Sequence, residues 1–253
     1  MSRILLACFS TLLLAAVGVA QDEADVARLQ LREVDKLASN PSDVQKLSHA
    51  LDLCRRMLKK NPEQLDVQVR ACRICWQIGV LLESEDKAME TFEIGFKLAE
   101  KIKQRHPEKP DGWYWYAVNY GQYIDHSSIF AKIGAAGKIM GHAKKTLELD
   151  PRYDSGGAYL MVGRINQIIP GGDDRLAENY FLKAIHIAPT RSTGHLYLGE
   201  LYYDQKKYKE AYREIRTVLD SPPDPKFSVE RKRDAVRTAE LLEEIESELR
   251  NRR

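Results

Sequence analysis

Five proline breaks cut this chain into segments of helical period, and they constrain the fold more than any other feature. The breaks are Asn61-Pro62, His106-Pro107, Asp150-Pro151, Ala188-Pro189 and Pro222-Pro223. Proline has no N–H to give a helix and pushes the residue before it out of the α region, so each break ends a helix. Between the breaks apolar residues recur at i, i+3, i+4 and i+7, and strand signals are nearly absent. Pro189 and Pro223 are 34 residues apart, the length of a two-helix repeat. The earlier intervals are longer: 38 residues from Pro151 to Pro189, 44 from Pro107 to Pro151 and 45 from Pro62 to Pro107.

The 34-residue unit carries a repeat signature. His195 is the first large position, Leu198, Gly199 and Tyr202 follow at the spacing of a first helix, and Ala211 takes the small position of a second. "HLYLGELYYDQKKYKEAYREIRTVL" therefore resembles a tetratricopeptide repeat (TPR), with Leu198, Tyr202 and Ile215 filling the seam. In the unit before it Ala177, Phe181 and Ala184 match the second helix, and Trp113 follows Pro107 by six residues as the first large position of another unit. The expected fold is all-α, a TPR-like superhelix of about four helix pairs plus a C-terminal capping helix. Its segments fall at 22–62, 63–107, 108–151, 152–189 and 190–223, the first two irregular, with the cap at 228–250. The insert "IDHSSIFAKIGAAGKIMGHAKK" is the most irregular part, and its Gly134, Gly137 and Gly141 suggest close helix packing or a broken helix.

Residues 1–20 read as a secretory signal peptide. Arg3 is followed by an apolar run to Val17 and by small residues up to Ala20, where cleavage is expected. The mature part, 21–253, is then a single exported α-solenoid with no stable membrane span. Cys8 sits too early in the apolar run for a lipoprotein box. Lys and Arg total 39 against 37 Asp and Glu, a balance that argues against a nucleic-acid binder. Cys72 and Cys75 form a C-x-x-C inside a continuous helical pattern. That fits buried small residues better than a redox or metal pair, and a disulfide from Cys54 stays open.

At this point the chain resembles a known group. "GWYWYAVNYGQY", "KKTLELDPRYDSGGAYLMVGRINQIIPGGD", "AENYFLKAIHIAP" and "LYLGELYYDQKKYKEAYREI" together are similar to the exported bacterial TPR proteins of the TRAP-transporter T-component (TatT-like) type. The layout also resembles that of the regulator-of-microtubule-dynamics proteins. The resemblance implies a periplasmic helper that meets the substrate-binding protein of an organic-acid transporter, with no catalytic residues to carry over.

The aromatic stretch "DGWYWYAVNYGQY" poses the site question. Trp113, Tyr116, Tyr120 and Tyr123 form one helical stripe and read as seam, while Tyr114 and Trp115 lie about 100° and 200° away from it. By repeat position Tyr114, Val118, Leu160, Arg164, Glu200 and Tyr203 face the concave side and are the candidate binding residues. The planar Arg164 fork suits a carboxylate or a peptide C-terminus, or else pairs with Glu200. Asp173 or Asp174 caps the helix after "PGGDDR", which lacks the lysine of a phosphate loop. The six histidines show no metal-ligand spacing, no G-x-S-x-G occurs, and no cofactor or metal is implied. The leading reading is a non-enzymatic scaffold for protein partners. The alternative is a carrier for a small hydrophobic or carboxylate ligand in an aromatic concave pocket. A redox role through Cys72 and Cys75 requires exposed thiolates.

Overall fold

Each proline break becomes a helix end, two residues past the last helical one. The computed structural model describes residues 25–39 and 43–252, so the expected signal peptide and Cys8 lie outside the described residues. A first helix, α1, covers 25–38. Then come α2 (Val44–Lys60), α3 (Leu65–Leu81), α4 (Glu85–Arg105), α5 (Pro110–Asp125) and α6 (Ile129–Leu149). The array continues with α7 (Gly157–Ile168), α8 (Asp174–Ile187), α9 (Ser192–Asp204), α10 (Tyr208–Asp220) and α11 (Ser228–Arg250). The pre-proline residues Asn61, His106, Asp150, Ala188 and Ser221 are the C-caps of α2, α4, α6, α8 and α10, all out of the helical region. Among the described residues there is no strand.

Among the described residues the helices form five pairs and a last helix, one pair in each of the five segments delimited in the sequence. The irregular first pair, α1–α2, closes on its own core of Val34, Leu47, Leu51, Cys54 and Met57 against α3. Successive helices pack on one another, and the first helices of neighbouring pairs also touch, α3 with α5 and α7 with α9. The stack is built from nearest-neighbour contacts, as a repeat array is. The resulting fold is an all-α, TPR-like superhelix.

Small-against-large contacts set the spacing within pairs. Ala177, Phe181 and Ala184 of α8 are buried, as are Leu198 and Gly199 of α9 and Ala211 of α10. The Phe181 ring lies against Gly163 of α7, where a Cβ would come within 2.5 Å of it. Ile215 does the same at Gly199, 2.8 Å from a Cβ there. Phe181 is fully buried and has nowhere to retreat. Gly163→Ala is therefore expected to cost about 1–3 kcal/mol by overpacking, despite the better helix propensity of alanine. Denaturant titration checks it, and an unchanged midpoint would show that α7 and α8 can part freely.

The glycine-rich insert differs from its expectation. It forms one unbroken helix, α6, capped by Ser128, whose hydroxyl accepts from the Ala131 N–H at 3.4 Å. Gly134, Gly137 and Gly141 do not mediate close packing, since a Cβ added at any of them meets nothing within 4 Å. The "PGGDDR" turn reads as expected: Gly171 is left-handed at φ +76°, and Asp173 caps α8 by accepting from the N–H groups of Arg175 and Leu176.

Candidate functional site

A groove of about 710 Å³ is lined by the first helices of the pairs together with Phe92 of α4 and Ile133 and Ile139 of α6. Trp76 of α3, Tyr114 and Val118 of α5, Leu160 and Arg164 of α7, and Tyr197 of α9 lie along it. α11 borders the groove, contributing Glu230 and Arg233 to the lining, and touches α3, α9 and α10. The last helix is thus more than an end cap.

Four of the six concave candidates, Tyr114, Val118, Leu160 and Arg164, line this groove. Glu200 and Tyr203 do not, because α11 covers the last turns of α9. Glu200 is 8 % exposed and sits between Arg164, at 2.6 Å, and Arg237 of α11, at 2.8 Å. Tyr203 packs with Tyr208 on the cluster that holds Leu241 and Ile245. The Arg164 fork also donates to Gln167 and stacks over the Tyr197 ring at 4.7 Å. Of the two outcomes open for Arg164, the structure has the internal ion pair.

Tyr114 is part of the framework rather than a free ligand group. It is 3 % exposed, and its hydroxyl donates to Asp154 Oδ2 at 2.5 Å. Burial, and then the Asp154 carboxylate, push this phenol far above the ordinary tyrosine range. Asp154 lies in a short 3-10 turn, Tyr153–Gly156, in which Asp154, Ser155 and Gly156 are all left-handed, with φ of 45°, 56° and 75°. Two successive non-glycine residues in that region are strained and need the surroundings to hold them. Arg191 does so by donating Nη1 to the Asp154 carbonyl at 2.8 Å. The same guanidinium grips Glu230 of α11 with Nε at 2.8 Å and Nη2 at 2.6 Å. Burial works against the Arg191 charge, but the Glu230 carboxylate reverses that and holds the group well above its usual range. Next to it the Thr193 hydroxyl donates to Asp234 Oδ2 at 2.7 Å, and Arg233 pairs with the same carboxylate.

The sequence reading missed this cluster of Arg191, Thr193, Asp154, Glu230 and Asp234. Its one signal is on α11: Glu230, Asp234, Thr238, Leu241 and Ile245 fall at i, i+4, i+8, i+11 and i+15 and are all buried. Their polar partners stand 37 to 41 residues away, so no local pattern announces them.

The aromatic stretch divides by face. Tyr116, Tyr120 and Tyr123 surround Phe96 of α4 at centroid distances of 5.8, 5.4 and 5.3 Å. Trp113 is only half-buried; its Nε1 donates to the Pro107 carbonyl, and its ring lies beside His142 and Lys103. Trp115 is the buried tryptophan, at 2 %, against Trp76 and Tyr114, with Nε1 donating to Tyr153. Tyr202 is half-buried and donates to Glu178 at 2.8 Å.

His142 of α6 links these rings to charge. Its Nδ1–H donates to the Lys138 carbonyl at 2.8 Å, so Nε2 is left to accept from the Lys103 ammonium at 3.2 Å. Burial first, with help from the Lys103 charge, holds this imidazole below its ordinary value and keeps it neutral. A depressed histidine gives stability that is full above about pH 6.5 and is lost as the pH falls through that value towards the folded one. The melting temperature is expected to drop between about pH 7.5 and about pH 5.5, and to drop less in His142→Gln. Equal slopes in the two proteins would count against it.

Cys54, Cys72 and Cys75 are free and buried. Burial pushes the Cys54 thiol up to about 11 and the Cys75 thiol up to about 12. They are packing residues, without the exposed thiolates that a redox pair requires. Among the described residues no three His, Cys, Asp or Glu side chains gather as a metal site would need, and no helix is long and apolar enough to cross a membrane.

The family model described as regulator of microtubule dynamics protein 1-3 matches residues 30–166, more than half of the chain. The chain belongs to that family. The match runs from α1 into α7, so this regulator-of-microtubule-dynamics region supplies Trp76, Tyr114, Val118 and Leu160, while Arg191 and α11 lie beyond it. No curated protein matches the chain. Among solved structures it is similar to a thermophilic TPR protein of Thermus thermophilus, with 18 % identity and a TM-score of 0.62 over 85 % of this chain and 98 % of that one. It is also similar to PilW, a widely conserved type IV pilus biogenesis factor, with 19 % identity and a TM-score of 0.53 over 89 % and 93 %. At these identities the likeness is one of fold.

Proposed function

We propose that this protein is a non-enzymatic binding module whose concave groove holds an apolar segment of a partner protein. The observation that carries this is the groove itself, along which Val118 of α5, Ile133 of α6 and Met161 and Ile168 of α7 are left partly or largely exposed as an apolar wall. The charged groups at its α7–α11 end are already paired with one another, so apolar contact is what that end offers a partner. A TPR-like stack supports the reading, because such concave faces are extended binding surfaces. The volume also favours a second reading, a small hydrophobic or carboxylate ligand, since it falls in the range of about 300–1,000 Å³ typical of such sites.

The narrower reading places the module outside the cytoplasm, with the leader cleaved near Ala20, as an accessory to a TRAP-type organic-acid transport system. The leader pattern of residues 1–20 and the resemblance of the repeats support it. The family description makes tubulin a partner to test beside it.

Val118→Arg puts a charge on the apolar wall at a half-buried position. Cross-linking and capture with the wild-type chain are expected to recover a specific protein partner, with recovery at least about tenfold lower in Val118→Arg at an unchanged melting temperature. Equal recovery would refute the groove as the site. Native mass spectrometry of the purified chain separates the second reading, as a bound mass of a few hundred daltons in place of a protein. Cell fractionation and microtubule co-sedimentation decide the location and the tubulin arm.

A further inference from the structure

We propose that α11 is a resident occupant of the concave face, and that the seat it fills accepts an amphipathic helix of a partner carrying two acidic side chains one turn apart. This rests on the reading of the concave side as a binding surface and adds the chemistry of what binds there.

The buried stripe of α11 changes character along its length. Leu241 and Ile245 are fully buried against Ala211 and Ile215 of α10 and Leu196 of α9. The first turns bury Glu230 and Asp234, at 6 % and 7 % exposure, beside Val229 at 4 %. Those turns are held by charge-assisted hydrogen bonds, from Arg191 just before α9 to Glu230 and from Thr193 of α9 to Asp234. Buried ion pairs add little net stability over their desolvation cost, so the N-terminal half of α11 is held specifically rather than tightly.

The seat keeps its demand when the helix leaves. Arg191 is fixed from the other side by the Asp154 turn, through Nη1 on the Asp154 carbonyl, and Thr193 stands on α9, so neither donor depends on α11 for its place. A helix that covers them is best served by carboxylates at its i and i+4 positions, because an apolar cover would bury Arg191 without a bidentate partner. Glu230 and Asp234 satisfy that rule from within the chain. The groove continues past Glu230 and Arg233 as open space along α5 and α7, so an incoming helix can lie against the apolar wall before it takes the seat. The segment before α11 holds Pro222, Pro223 and Pro225, a stiff strap that limits how far a released helix strays.

The test uses the full chain, wild type and Glu230→Gln/Asp234→Asn, with a labelled peptide of residues 228–250 as probe. The double variant loosens its own helix, so the peptide is expected to bind it about tenfold more tightly than it binds wild type, since the competent fraction rises. A peptide carrying the same two neutral substitutions is expected to bind at least about tenfold less well than the acidic one. Amide exchange over residues 228–237 is expected to be faster in the variant, with α8 unchanged. Equal binding of acidic and neutral peptides, no binding to either chain, or unchanged exchange would overturn the proposal. Thr193→Val, which removes one donor and keeps every carboxylate, repeats the comparison if the double variant does not fold. Loss of partner capture in Val118→Arg together with no peptide binding would leave the groove standing and remove the helix exchange.

Discussion

Arg191→Ala is expected to destabilise the protein by about 3–5 kcal/mol, the usual cost of breaking a buried ion pair from one side. The guanidinium is 5 % exposed and joins three parts of the fold: the left-handed turn at Asp154, the start of α9 and the start of α11. Its removal leaves Glu230 at 6 % exposure without its bidentate partner and frees the Asp154 carbonyl that fixes the strained turn. Arg191→Lys is expected to recover only part of the loss, because an ammonium cannot grip both Glu230 oxygens in one plane. Arg191→Met combined with Glu230→Leu is expected to recover more, since it removes both charges while Asp154 keeps the Tyr114 hydroxyl. Urea titration of wild type and these variants measures this, and an Arg191→Ala protein within about 0.5 kcal/mol of wild type would show that α11 and the turn are held by something else.

Trp115→Ala is expected to cost about 3–5 kcal/mol, as large-to-small changes at buried aromatics do. The ring is 2 % exposed and packs between Trp76 at 6.5 Å and Tyr114 at 5.1 Å, with the Arg73 guanidinium 5.5 Å from its centroid. Its Nε1–H also orders Tyr153, whose hydroxyl donates to Asp111 at 2.7 Å. Trp113→Ala is expected to cost clearly less, because that ring is only half-buried, beside Lys103 and His142. The same melts rank the two, and a larger effect at Trp113 would reverse the assignment of the seam.

That ranking shows where the sequence stops being legible. A stripe of period 3.6 identifies a buried face when a helix has one. α5 packs against α3, α4 and α6, and Tyr114, Trp115 and Tyr116 are buried in succession. Periodicity therefore picks out Tyr116 and Tyr120 around Phe96 but misplaces the weight of the two tryptophans. The helix ends were readable because pre-proline sterics are local, and the Phe181 and Ala211 positions because the repeat fixes them. The acidic stripe of α11 was not readable, because burial of Glu230 and Asp234 depends on Arg191 and Thr193 across the array. The open glycines of α6 are not legible for a different reason: small residues permit close packing without requiring it.

The closure of α11 onto α3 bears on the order in which the molecule can assemble. Each helix pair forms from contacts within a few tens of residues, which favours rapid local folding. The contact between α3 and α11 joins segments at 65–81 and 228–250, and no partial stack can make it. Synthesis proceeds from the N-terminus, and domains fold as they emerge. The concave face of the first four pairs can thus form before the helix that borders it has been made.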